Sequence, residues 1–346
     1  MSMEKEVSTL RTVHAPAFVC PEAPEAFEKL KEHTREAVLD LLGRPPFSEP
    51  PALNPKILSE TDAGGYLRKK VRYGNESDDV VWAWLLVPKG LTRPAPAILC
   101  FPGTFMTPNW GKDAPAGLAG PENAGDPEAY GADLAELGYI ALCPDYPCAG
   151  ERTTPELKSH DTTMFDQRFP TWSRMGMSVW DVSRAVDFLL TVPEVDGTRI
   201  GCTGWSQGGV TTLLGAAMDP RIAVAVPVCG WSPFRGYDLS GLMASYNYPR
   251  LRPYVAQRRP LPFDMDQVAA MIAPRPFLNL NAKLDRFFPN KEELAAAEEE
   301  LARLYAWHGA GDRFRAVRFE GDHAHGRVAA RESQAWFDRW LRESDC

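Results

Sequence analysis

From Asp79 onward the chain carries a recurring pattern of short apolar runs, rich in β-branched and aromatic residues, each ended by Pro or Gly. DVVWAWLLVP, APAILCFPG, YIALCPDYP, RIGCTGW, IAVAVPVCG, PRPFLNLNA and FRAVRFEGD therefore read as strands. Segments with apolar residues at helical spacing alternate with them: PEAYGADLAELG, MSVWDVSRAVDFLLTVPEV (Val179, Val182, Val186, Leu189, Leu190) and KEELAAAEEELARLYAW. Strands alternating with helices predict an α/β fold, a mostly parallel central sheet flanked by helices. The continuous apolar character of the runs fits strands covered on both faces. Residues 1–60 pair a helical segment, EAFEKLKEHTREAVLDLLG, with an extended proline-rich connector, RPPFSEPPALNP, and read as an N-terminal helical arm. Residues 231–263 break the rhythm, being rich in Pro, Tyr and Arg without periodicity, and are expected to form a small lid insertion. A second irregular stretch, ERTTPELKSHDTTMFDQRFPTW, is expected to line the same cleft. The whole chain, 1–346, reads as a single domain.

Composition narrows the classes. With 346 residues the chain buries about three-quarters of its unfolded surface and needs no disulfide or metal to fold. Lys plus Arg is 38 against 46 Asp plus Glu, a net charge of −8, which argues against nucleic acid or an anionic membrane as partner. The opening MSMEKEVSTL lacks the apolar core of a signal peptide, and no apolar run reaches the length of a membrane span. Seven cysteines, several inside strand-like runs (AILC, VPVC) and none in a CxxC pair, read as reduced thiols. A cytoplasmic protein is the expectation. A phosphate-binding loop is not expected, because the glycines near Ser206 lack a following Lys-Ser/Thr. Metal ligation is set aside as well, His323-x-His325 being the only His pair. The expected partner is a small-molecule substrate, with no cofactor; a homo-oligomer is compatible with the sequence.

The chemistry centres on GWSQGG, which places Ser206 between Gly204 and Gly208, after a strand and before the helix-compatible VTTLLGAAM. G-x-S-x-G is the nucleophile elbow of α/β hydrolases: a sharp strand-to-helix turn exposes the hydroxyl and needs small neighbours two residues either side. The serine needs a general base, and of the six histidines only His323 and His325, in FEGDHAHGR, follow the last strand. His323 directly follows the strand-ending Gly-Asp and is preferred, with His325 the alternative. His308 reads as a cation at a helix C-terminus. Asp285, just past PFLNLNA and closed off by Pro289, is the expected acid that orients the imidazole, with Asp145 in CPDYP as the fallback. The backbone N–H groups of Gln207 and Thr104 are the expected oxyanion donors. Phe105, Trp205 and Trp231 are candidate pocket walls. The chemistry expected is ester hydrolysis through an acyl-enzyme, with a small acyl group, acetyl first.

The run from APAILCFPG to the C-terminus resembles α/β hydrolases of the acetyl xylan esterase and dienelactone hydrolase type. GWSQGG, GYIALCPDYPCAGER, IAPRPFLNLNAKLDRFFP and DHAHG are similar to that family's blocks. The resemblance implies the same roles for Ser206, Asp285, His323, Thr104 and Gln207. The chain departs from it in three places. Pro102-Gly103 stands where many relatives have His-Gly, CAGER replaces an Arg-Gly-Gln motif, and Ala324 follows the histidine where sugar deacetylases have Glu. Ser206 also separates the chain from dienelactone hydrolases proper, which use cysteine. A serine peptidase of the acylaminoacyl type shares this catalytic fold but carries a β-propeller for which the chain has no room. A ligand-binding protein without catalysis is the other alternative.

Overall fold

The computed structural model describes residues 14–76, 79–104, 111–118, 129–153, 161–236, 248–257 and 259–342. The strands are β1 (Lys56–Asp62), β2 (Tyr66–Glu76), β3 (Asp79–Pro88), β4 (Ala95–Phe101), β5 (Ile140–Pro144), β6 (Val195–Trp205), β7 (Ile222–Val228), β8 (Phe277–Ala282) and β9 (Phe314–Phe319). They form one sheet in the order β1-β2-β3-β5-β4-β6-β7-β8-β9. From β5 to β9 every neighbouring pair is parallel, while β1, β2 and β3 add an antiparallel wing. The helices are α1 (Pro24–Leu42), α2 (Tyr130–Glu136), α3 (Thr163–Arg168), α4 (Arg174–Leu189), α5 (Gln207–Met218), α6 (Arg252–Ala256), α7 (Met265–Ala270), α8 (Lys291–Trp307) and α9 (Arg327–Leu341).

Two cores lie on opposite faces of the sheet, and the strands feed them alternately. Ala97, Leu99 and Phe101 of β4 join α1, α4, α5, α7 and α8 on one face. Ile98 and Cys100 join α2 and α9 on the other. This two-sided burial is why the strands read as unbroken apolar runs. β1 and β2 went unread because β1 is exposed along its whole length and β2, YLRKKVRYGNE, carries charged residues through its middle. Lys70 and Arg72 of β2 lie over the Trp82 ring at 5.4 and 5.8 Å, so the charged residues cover apolar surface with their stems.

Two boundaries need correction. The arm drawn over residues 1–60 already contains β1 and so enters the sheet, and α1 buries Phe27, Val38 and Leu41 in the main core. The lid drawn over 231–263 is core at both ends: Trp231, Phe234, Tyr248, Leu251, Leu261 and Phe263 are all buried there. Residues 237–247 and 258 of that segment lie outside the described residues. Among the described residues, no helix is long and apolar enough to cross a membrane. The six described cysteines are free thiols.

The strand order positions the site. The chain leaves β4 for β5 on one side, then crosses to β6 on the other, so the C-terminal ends of β4 and β6 diverge into a crevice. Phe101 pairs with Gly204 and Trp205 with Val228, which brings the turns after β4, β6 and β7 to one edge. Ala282 pairs with Phe319, adding the turns after β8 and β9.

Candidate active site

Ser206 occupies the turn between β6 and α5 with φ 57° and ψ −116°. Positive φ at a residue with a Cβ costs on the order of 1–3 kcal/mol and persists only where surroundings impose it. Here the Ser206 N–H donates to Val228 O at 2.9 Å, tying the turn to β7. The close approach explains the flanking glycines. A Cβ on Gly208 would lie 2.1 Å from Phe101 O, and one on Gly204 would lie 2.6 Å from both Phe101 O and Gly208 C. Gly208→Ala is therefore expected to destabilise the fold by about 2–3 kcal/mol, read as a lower urea midpoint; an unshifted midpoint would mean the elbow can move aside.

His323, in the turn after β9, reaches both partners. Its Nε2 lies 2.8 Å from Ser206 Oγ and its Nδ1 2.8 Å from Asp285 Oδ2. The other Asp285 oxygen accepts from the N–H groups of Phe287 and Phe288 at 2.9 and 3.2 Å. With Asp285 accepting, the imidazole carries its proton on Nδ1 and offers the Nε2 lone pair to the serine hydroxyl. Rings of Phe287, Trp205 and Phe288 surround the imidazole at centroid distances of 4.7, 5.1 and 6.0 Å. Trp205 thus stands at the site, beside the base. Trp231 does not: it is fully buried and stacks on Phe277 in the core, so it is no pocket wall. Phe105 lies outside the described residues.

Gln207 opens α5, where first-turn N–H groups have no intrahelical acceptor. Its side chain is buried against Arg174, the first residue of α4. A guanidinium can only donate, so the amide atom facing it is the oxygen, which accepts from Nη2 and Nη1 at 2.6 and 2.9 Å. The amide nitrogen then donates to Thr104 Oγ1 at 3.1 Å. The two residues expected to supply oxyanion donors are thereby joined through their side chains, across 103 positions of sequence.

Comparison with known proteins places this geometry. The family model described as "Glucuronyl esterase, fungi" matches residues 158–309. YtaP of Bacillus subtilis (strain 168), whose name assigns it to the hydrolases, is 28% identical over 75% of this chain and 83% of its own length. The 4-O-methyl-glucuronoyl methylesterase 1 of Wolfiporia cocos (strain MD-104) is 30% identical over 32% of this chain, a match spanning only 31% of that enzyme. Among solved structures, the glucuronoyl esterase from Solibacter usitatus superposes with a TM-score of 0.70 at 17% identity, covering 95% of this chain and 98% of that one. The chain has the α/β-hydrolase fold, with Ser206, His323 and Asp285 joined at one edge of its sheet.

The hydrolase keeps its other candidates away from Ser206. Asp145, the fallback acid, is buried and accepts from the Lys112 N–H and Nζ, both at 2.8 Å, and from the Glu151 N–H at 3.0 Å. It fastens the segment after the β4 turn to the segment after β5. Burial raises its pKa, with Lys112 opposing. His308 does stand at the C-terminal end of α8, where burial and the nearby Lys31 lower its pKa. The stretch 161–172 contributes Met164, Phe165 and Phe169 to a cavity of about 330 Å³ that also touches Pro147 and Arg152. Ser206, Asp285 and His323 are not among its lining residues; Arg174, which holds the Gln207 side chain, donates to Pro147 O of its wall at 3.3 Å.

His325 is wholly buried, its ring 4.5 Å from that of Tyr130, and among the described residues neither ring nitrogen has a hydrogen-bond partner. Burial pushes its pKa down from 6.5 to about 4. The unfolded chain then takes up a proton near pH 6.5 that the folded hydrolase refuses until near pH 4. Stability present above pH 6.5 is lost progressively as the pH falls towards 4, by roughly 3 kcal/mol in all. His325→Phe is expected to flatten this loss, measured as the difference between urea midpoints at neutral pH and near pH 4.5. An equal difference in both proteins would exclude His325 as its source.

Sequence reasoning missed Arg174 and the Lys112–Asp145 clamp. Arg174 lies in an ordinary helical pattern, TWSRMGMSV, and Lys112 in a loop; neither carries a motif. Only the fold shows that both are buried at the site's back.

Proposed function

We propose that the protein is a serine carboxylesterase whose substrates are esters of a sugar carboxylate, the hexuronic acid being the acyl group. The observation that carries the serine mechanism is His323 bridging Ser206 and Asp285 at 2.8 Å on each side. Ser206 Oγ attacks the ester carbonyl as His323 Nε2 takes its proton, and Asp285 stabilises the imidazolium that results. The backbone N–H groups of Gln207 and Thr104 hold the oxyanion of the tetrahedral intermediate. Its collapse expels the alcohol, which receives the proton from His323. Water, deprotonated by the same nitrogen, then attacks the acyl-enzyme and releases the acid.

The family match over residues 158–309 and the curated methylesterases of 4-O-methyl-glucuronic acid support a uronate ester over the acetyl ester expected from the sequence. The two are separated by kcat/KM for methyl glucuronate against 4-nitrophenyl acetate. Preference for the uronate ester is the expected result. Turnover of acetate alone would leave the serine mechanism standing and remove the substrate class.

A further inference from the structure

The turn after β7 brings a third donor to the histidine and the acid. Cys229 Sγ, an Asp285 carboxylate oxygen and a ring nitrogen of His323 all lie within 4.8 Å of one another. Cys229 is buried, and its positive φ of 45° and the N–H bond to Leu280 O at 2.7 Å fix the direction of its side chain. We propose that these three side chains form an inhibitory site for a soft divalent cation, zinc in the first instance.

The donor set is one that zinc accepts: thiolate, imidazole and carboxylate. Tetrahedral zinc with bonds of about 2.0–2.3 Å sets its donor atoms roughly 3.3–3.6 Å apart. His323 Nδ1 and Asp285 Oδ2, now 2.8 Å apart, need only open slightly to admit the ion, while Sγ closes in. A fourth position is left for water. The site is distinct from the His323-x-His325 pair in the sequence, because His325 turns away into the core.

Binding would switch the imidazole to the wrong tautomer. Zinc on Nδ1 takes the lone pair released when the Nδ1 proton moves to Nε2, and a protonated Nε2 cannot accept from Ser206. The thiol loses its proton to solvent as the sulfur–metal bond forms, so one proton is released per ion. Because the ion displaces the thiol proton, its affinity rises with pH.

The effect on activity rests on His323 being the base, whereas binding does not, so the two are measured separately on the full chain. Equilibrium dialysis against zinc chloride is expected to show one ion bound by the wild type and lost in Cys229→Ser and Cys229→Ala. With cadmium, a thiolate-to-metal absorption in the ultraviolet is expected in the wild type and absent from both variants. The zinc concentration that halves ester hydrolysis, each protein normalised to its own metal-free rate, should rise at least about tenfold in the variants. Chelator should restore the wild type, and magnesium should have no effect. Thermal melts show that the variants are folded. Equal zinc binding by wild type and both variants, or no binding by the wild type in large excess of zinc, overturns the proposal. Loss of binding in the variants with no detectable ester hydrolysis in any protein would uphold the site and count against the proposed function instead.

Discussion

Ser206→Ala is expected to lower kcat by about 10⁴–10⁶-fold on any ester the protein cleaves, with KM changed little. The hydroxyl forms the acyl bond, and among the described residues Ser206 Oγ is the group that meets His323 Nε2, at 2.8 Å. The residual rate would come from binding and the oxyanion donors, which the substitution leaves in place. Alanine keeps the Cβ and inherits the strained backbone, so an unchanged thermal midpoint accompanies the loss. A variant retaining a tenth or so of wild-type activity would remove Ser206 from the mechanism and leave the elbow as a tight turn.

Asp285→Asn tests the second bond and carries the next largest effect. The asparagine oxygen can still accept from the Phe287 and Phe288 N–H groups, so the loop after β8 is retained. Its amide N–H₂ then faces His323 Nδ1 and donates to it. That holds the proton on Nε2, where it blocks transfer from Ser206. A fall in kcat of about 10⁴-fold follows, with the fold intact. A small loss, comparable to that of a surface substitution, would mean that the acid does not govern the imidazole tautomer.

These two expectations share an origin with the elbow glycines and with His325: the turns at one edge of the sheet are crowded. Gly204 and Gly208 leave no room for a Cβ, Asp285 has both oxygens engaged, and His325 is pressed against Tyr130. A site held this way meets the chemical requirement that donors be oriented before substrate arrives.

The residues that could be named from the sequence are those with a local signature. Ser206 lies in a strand–turn–helix pattern with glycines at fixed offsets, and Asp285 and His323 each follow a short apolar run. The central strands β4 to β8 were legible for the same reason, since burial on both faces writes an apolar run into the chain. β1 and β2 were not, because β1 is exposed throughout and β2 interrupts its buried Tyr66, Val71 and Tyr73 with charged residues. Trp231 misled because it opens a Pro-rich stretch that reads as a lid over the cleft, whereas the chain there stays in the core.

What the sequence determined by itself is the succession of strands from β3 to β9, the α/β class and the three turns that carry Ser206, Asp285 and His323. The tertiary structure alone decided which histidine faces the serine, because His323 and His325 are two residues apart and chemically identical. One turn geometry sends the first towards Asp285 and the second under Tyr130. It also decided the company those residues keep. Arg174 behind Gln207 and Cys229 beside Asp285 come from elements far apart in sequence. They meet because β4, β6, β7 and β8 lie side by side, and strand order is a property of the packed sheet that no local pattern records.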